Sequence, residues 1–139
     1  MDREVVEQKL ESLIRCLDRV ETKCPATADE LVANIDLQDI ISLNLTRAVQ
    51  ACVDIALHWA AQTPNVKSPA TMGEAFELMA SAGALTDDVA TNLRKAVGFR
   101  NVAVHNYDEI DWAIVFSICT TRLRDFREFA RAVDAIFLQ

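Results

Sequence analysis

LQDIISLNLTRAVQACVDIALHWA, residues 37–60, is the stretch that decides the fold. Its apolar residues recur at helical spacing, with Ile41, Leu45, Ala48, Cys52, Ile55 and Trp59 on one stripe. Val49, Val53 and Leu57 add a second stripe beside the first. A helix with one apolar stripe covers a core from one side, whereas two adjacent stripes require more than one neighbour. The spacing predicts a long helix from about Asp36 to Ala61, placed at the centre of a bundle.

Upstream, residues 2–23 carry Val6, Leu10, Leu13, Leu17 and Val20 at alternating steps of four and three, which predicts one amphipathic helix. Thr27 to Glu30 has the form of a capping box and opens a short helical turn. Downstream, QTPNVKSPA (62–70) is a breaker-rich loop with two prolines. Thr71 to Glu74 is a second capping-box pattern, starting a short helix that Gly83 stops. Thr86 caps a helix running to about His105. The last helix is expected to begin near Asp108, whose carboxylate suits the positive end of the helix dipole, and to run to about Phe137. Its stripe is Trp112, Val115, Cys119, Leu123, Phe126, Ala130, Val133 and Phe137. No strand-like alternation competes. The expected architecture is all-α: an up-and-down four-helix bundle with one or two additional short helices, in a single domain over 1–139.

Composition agrees with a helical, cytoplasmic protein. Half of the 139 residues are hydrophobic (51%), yet glycine and proline occur only three times each, which disfavours a turn-rich β fold. The apolar runs fall short of the roughly 20 residues of a membrane span, and MDREVVEQKL is charged from its second residue, unlike a secretory leader. Four scattered cysteines (Cys16, Cys24, Cys52, Cys119) and two histidines make no zinc-binding pattern and read as reduced thiols. The net charge of −7 is uneven. Residues 1–93 carry a net −8 and residues 94–139 a net +1, with six arginines among the seven cations of the latter. That balance excludes a protein that coats nucleic acid indiscriminately but leaves room for a locally basic surface.

The familiar phosphate-loop, dinucleotide, zinc-protease and serine-hydrolase motifs do not occur. Asp36 and Asp39, and Asp87 and Asp88, fall where helices begin and read as caps or dipole partners. Asp54 and His58 stand four residues apart and could touch on one helix face, an arrangement also common on ordinary helices. Arg122, Arg124, Arg127 and Arg131, interleaved with Asp125 and Glu128, read as a solvated face.

The helix over 86–105 is the exception. With Val89 set at zero, Leu93 falls near 40°, Ala96 near 340° and Arg100 near 20° on a helical wheel. Arg100 therefore sits within the apolar stripe, although a guanidinium cannot shed its charge and is costly to bury unpaired. It has to reach the rim, meet a carboxylate, or face a cleft where an anion arrives. Asn101 and His105 lie near 120° and 160°, so a regular helix holds Arg100 and His105 about 140° apart. Either the arginine curls round, or the helix breaks near 105, or a second subunit completes the site. Tyr107, the chain's only tyrosine, follows at the helix end, with its hydroxyl expected to be exposed.

RNVAVHNY (100–107) resembles the R-x4-6-H signature of HEPN domains, in the HepT-like form R-x4-H-x-Y, and the resemblance covers essentially the whole chain. It implies a metal-independent endoribonuclease toxin that acts without a cofactor, as a homodimer whose two motifs line one cleft. It also implies a minimal nucleotidyltransferase (MNT) antitoxin that transfers AMP to the motif tyrosine. On this sequence Arg100 and His105 become the catalytic pair, Asn101 a supporting residue that orients His105 or bonds the phosphate, and Tyr107 the modification site. The net charge of −7 implies selectivity for a particular RNA. The same resemblance leaves a second reading, a non-catalytic helical partner of a nucleotidyltransferase. A chemically inert helical adaptor would leave Arg100 unexplained.

Overall fold

The computed structural model describes residues 3–139, and among them every regular element is helical. The elements are α1 (Arg3–Lys23), α2 (Ala28–Val32), α3 (Ile35–Gln62), α4 (Met72–Ser81), α5 (Asp87–His105), α6 (Trp112–Ser117) and α7 (Leu123–Phe137). A 3-10 turn, Tyr107–Glu109, precedes α6, and a π-helical turn, Ile118–Arg122, joins α6 to α7. The expected start of the first helix at Asp2 lies outside the described residues.

Helix α3 is central because its apolar residues point in several directions. Ile41, Leu45, Ala48, Val49, Cys52, Val53, Ile55, Ala56 and Trp59 are all buried, with α1 packed on one side and α4 and α5 on the other. Leu57, assigned to the second stripe, remains partly exposed. The final helix closes the bundle between α1 and α5, while α2 rests on α6. These contacts make α1, α3, α5 and the α6–α7 helix a four-helix bundle, with α2 and α4 as the short additions. By length and composition α3 could also span a membrane, contrary to the sequence expectation. Most of its apolar stretch is buried inside the protein.

The caps follow the sequence closely. Thr27, Thr71 and Thr86 each accept a bond from the backbone N–H three residues on. Gly83 takes φ 81°, and the Ala84 N–H reaches Met79 O at 2.8 Å while the Gly83 N–H reaches Ala80 O at 3.0 Å. That is the paired-bond ending for which a left-handed glycine is the natural residue. The four cysteines are unpaired, three of them buried.

The last helix starts later than expected. Asp108 lies in the 3-10 turn, and Asp111 is the N-cap, accepting from Ala113 N at 3.0 Å and Ile114 N at 3.4 Å. The π turn has a physical cause in the stripe itself. Val115, Cys119 and Leu123 are spaced four and four, and an ordinary 3.6-residue period would rotate Leu123 away from the core. One wide turn keeps all three buried, and Thr120 and Thr121 hydroxyls donate to the Phe116 and Ser117 carbonyls there.

Candidate functional site

Helix α5 changes character along its length. Val89, Ala90, Leu93, Ala96 and Val97 are buried, but beyond Gly98 the helix emerges from the core: Val102 is 36% exposed and Val104 50%. Arg100 sits at this transition, half-buried. Its Nη1 donates to Asn101 Oδ1 at 3.1 Å, and its Nε is shut off from solvent with no acceptor. No carboxylate stands within ion-pair distance of it among the described residues. Asn101 thus does something more specific than either role foreseen for it: it holds the arginine. Because Asn101 lies near 120° on the wheel, the guanidinium is drawn from the buried stripe toward the side carrying His105.

The helix does not break before His105. It stays regular through that residue and ends at Asn106, whose extended φ of −144° turns the chain while its N–H still bonds Val102 O at 2.8 Å. His105 is exposed and makes no hydrogen bond or ion pair among the described residues. Of the three resolutions to the Arg100–His105 separation, the break is removed, and the curl occurs only as far as Asn101.

Tyr107 is exposed, as expected, and is also tied down. The residue is 38% exposed, but its hydroxyl is engaged, donating to Asp39 Oδ1 of α3 at 2.6 Å. The buried Ser42 hydroxyl faces the same oxygen at 3.4 Å. Trp112 packs edge-on against the ring, with centroids 5.9 Å apart. Burial first, and then the bond to the Asp39 carboxylate, raise the phenol above its ordinary pKa. Asp39 was read from sequence as a helix-start charge, but Asn34 is the N-cap of α3. Its partner is 68 positions away in the chain, and no sequence signal links the two.

The other candidates either have partners within the bundle or face solvent. Asp54 spends its oxygens on Lys9 at 2.9 Å and Gln50 at 2.8 Å, and the His58 ring packs on Phe137 with centroids 5.8 Å apart. Within the arginine series, Arg127 binds Asp18 and Glu21 of α1, while Arg122, Arg124 and Arg131 face solvent. A groove of about 1230 Å³ lies between α1 and α7 and includes none of the residues from Arg100 to Tyr107. A smaller apolar groove of about 470 Å³ runs beside the end of α5, lined by Phe99, Val102, Ile110, Ile114 and Ile118.

A helical bundle in which one helix end presents Arg, Asn, His and then Tyr has the design of a HEPN domain. The chain belongs to the ribonuclease HepT-like family, whose model matches residues 13–133. It is 32% identical over 132 residues to the mRNA nuclease HepT of Shewanella oneidensis, spanning 95% of this chain and 98% of that protein. The tRNA nuclease HepT of Aphanizomenon flos-aquae is 28% identical over 134 residues, covering 96% of this chain and 90% of that one. Among solved structures, a toxin–antitoxin complex with AMP-PNP superposes with a TM-score of 0.87 at 31% identity, over 95% of this chain and 98% of that chain. The tri-AMPylated Shewanella oneidensis HEPN toxin bound to its MNT antitoxin superposes with a TM-score of 0.86 at 32% identity, over 97% and 99% of the two chains.

Proposed function

We propose that this chain is the toxin of a HEPN/MNT toxin–antitoxin module, a metal-independent endoribonuclease in which Arg100 and His105 carry the chemistry. The observation that supports this most directly is Arg100: a permanent cation, half-buried, held by a neutral amide and, among the described residues, left without a counter-ion. A cation that served only the fold would be paired; one that awaits a phosphate is left open.

In this reading the 2′-hydroxyl of the RNA attacks the adjacent phosphorus. His105 moves the proton, a task suited to an imidazole at neutral pH. Arg100 stabilises the charge that grows on the non-bridging phosphate oxygens. The products are a 2′,3′-cyclic phosphate and a 5′-hydroxyl. Since one regular helix holds the two side chains on different faces, a second copy of the chain completes the cleft. The exposed Val102 and Val104, and the apolar groove running beneath Ile114, supply a surface that such a copy would cover. An MNT antitoxin silences the toxin by transferring AMP to Tyr107, which adds bulk and negative charge two residues from His105 and repels RNA. RNA and ATP as substrates imply a cytoplasmic setting, and the chain folds as one domain.

The test is RNA cleavage by the purified protein with the termini of the products mapped. His105→Ala is expected to lose cleavage by at least about a hundredfold while keeping its melting temperature. Normal cleavage by that variant would refute the catalytic assignment. Sedimentation at the mass of a monomer under cleavage conditions would refute the shared cleft.

A further inference from the structure

Two features beside the cleft are used neither by RNA cleavage nor by the packing of the bundle: the Asp39 carboxylate and the way it grips Tyr107. The Tyr107 ring and its oxygen are met from three directions. Trp112 packs edge-on against the ring, the buried Ser42 hydroxyl meets the oxygen at 3.4 Å, and Asp39 accepts its proton at 2.6 Å. Asp39 is itself on the surface, so the oxygen and its carboxylate partner are both reachable from outside. An exposed hydrogen bond of this kind adds little to folding stability, but it holds a nucleophile and a proton acceptor in contact.

We infer that Asp39 is the proton acceptor for AMP transfer to Tyr107. The inference rests on the reading that Tyr107 is the residue the nucleotidyltransferase modifies. The Tyr107 oxygen forms a bond to the α-phosphorus of ATP as the bond from that phosphorus to the β-phosphate's bridging oxygen breaks. Pyrophosphate leaves with the electron pair, and the phenolic proton passes to Asp39 Oδ1. The toxin therefore contributes a catalytic group to its own inactivation, in addition to the acceptor hydroxyl.

A phenol needs such a group to become a nucleophile. A phenol is protonated at neutral pH, and burial and the neighbouring carboxylate push Tyr107 further that way, so it is a poor nucleophile until the proton has somewhere to go. The carboxylate that opposes a standing phenolate is the same one placed to take the proton during attack. Only the first AMP uses this arrangement, because the phenol is then consumed and any further AMP has to go to another acceptor.

The experiment is AMP incorporation from labelled ATP, with the intact toxin and its nucleotidyltransferase, comparing the parent with Asp39→Asn, Asp39→Glu and Tyr107→Phe. The site of label is read by peptide mass spectrometry. The parent is expected to carry AMP on Tyr107, and Tyr107→Phe none. Asp39→Asn is expected to lower turnover for the first AMP on the order of a hundredfold, with the KM for ATP and the affinity for the nucleotidyltransferase unchanged. Asp39→Glu is expected to recover part of the loss, since it restores the carboxylate. Modification of Asp39→Asn at the parental turnover would overturn the inference while leaving Tyr107 as the acceptor. A loss confined to affinity for the nucleotidyltransferase would overturn it too, making Asp39 a docking residue. If AMP lands elsewhere on the parent, the acceptor assignment falls and the role of Asp39 with it.

Discussion

Arg127, at the seam between α1 and α7, donates to Asp18 at 3.2 Å and to Glu21 at 2.7 Å, whereas Arg100, near the end of α5, reaches only the neutral Asn101 among the described residues. Both sit half in and half out of the protein, and both are permanently charged. The difference is what surrounds them. At the α1–α7 seam two carboxylates compensate the guanidinium, so the arginine ties one helix to another and has nothing left for a ligand. At the end of α5 the charge is oriented by an amide that cannot neutralise it, and one Nε donor is left unused. A fold that leaves a buried donor unsatisfied gives up stability at that point, which is the expected mark of a site kept ready for a substrate.

Removing each arginine separates the two roles. Arg100→Ala is expected to lower RNA cleavage by at least about a hundredfold while leaving thermal stability unchanged or slightly higher, because an unsatisfied buried donor goes with it. A fall in melting temperature matching the loss of activity would show that Arg100 holds the fold after all. Next in size is Asn101→Asp, which gives Arg100 the counter-ion it lacks. Cleavage is expected to fall roughly tenfold, equivalent to about 1.4 kcal/mol of transition-state stabilisation, and an unchanged rate would mean that the guanidinium's net charge is not what the reaction uses. Arg127→Ala makes the converse case: it is expected to cost under about 1 kcal/mol in chemical denaturation, since its partners are largely exposed, and to leave cleavage as it was.

The smallest effect is spectroscopic. Tyr107 is the only tyrosine, so its ionisation can be followed by absorbance without assignment. The titration midpoint is expected above the ordinary value near 10. Asp39→Asn is expected to lower it, because a neutral amide no longer opposes the phenolate, while burial holds it above the ordinary value. A midpoint indifferent to this substitution would mean that the 2.6 Å contact does not form in solution.

Much of this was legible in the sequence. The Ile41–Trp59 stripe and its neighbour identified α3 as the central helix, and the threonine caps and Gly83 marked three helix starts and one stop. Arg100 stood out for its place on the wheel alone. The misreadings have local causes. Asp108 and Asp111 are both plausible caps three residues apart, and only the path of the chain after Asn106 selects the second. The π turn was implicit in the four-and-four spacing of Val115, Cys119 and Leu123, but that spacing also fits an ordinary helix with a drifting stripe. Leu57 joined the second stripe by periodicity, yet it stays partly exposed.

Periodicity and caps are properties of contiguous residues, so the sequence alone determined that this chain is a helical bundle, and the R-x4-H-x-Y run determined which family it resembles. Tertiary structure decided how the site is wired. It turned Arg100 toward the neutral Asn101, kept α5 regular through His105, and brought Asp39 onto the Tyr107 hydroxyl across 68 residues of chain. The physical reason is range. A turn of helix is set by residues three or four apart, whereas a hydrogen bond between α3 and the turn after α5 exists only once the whole core has fixed the distance between them.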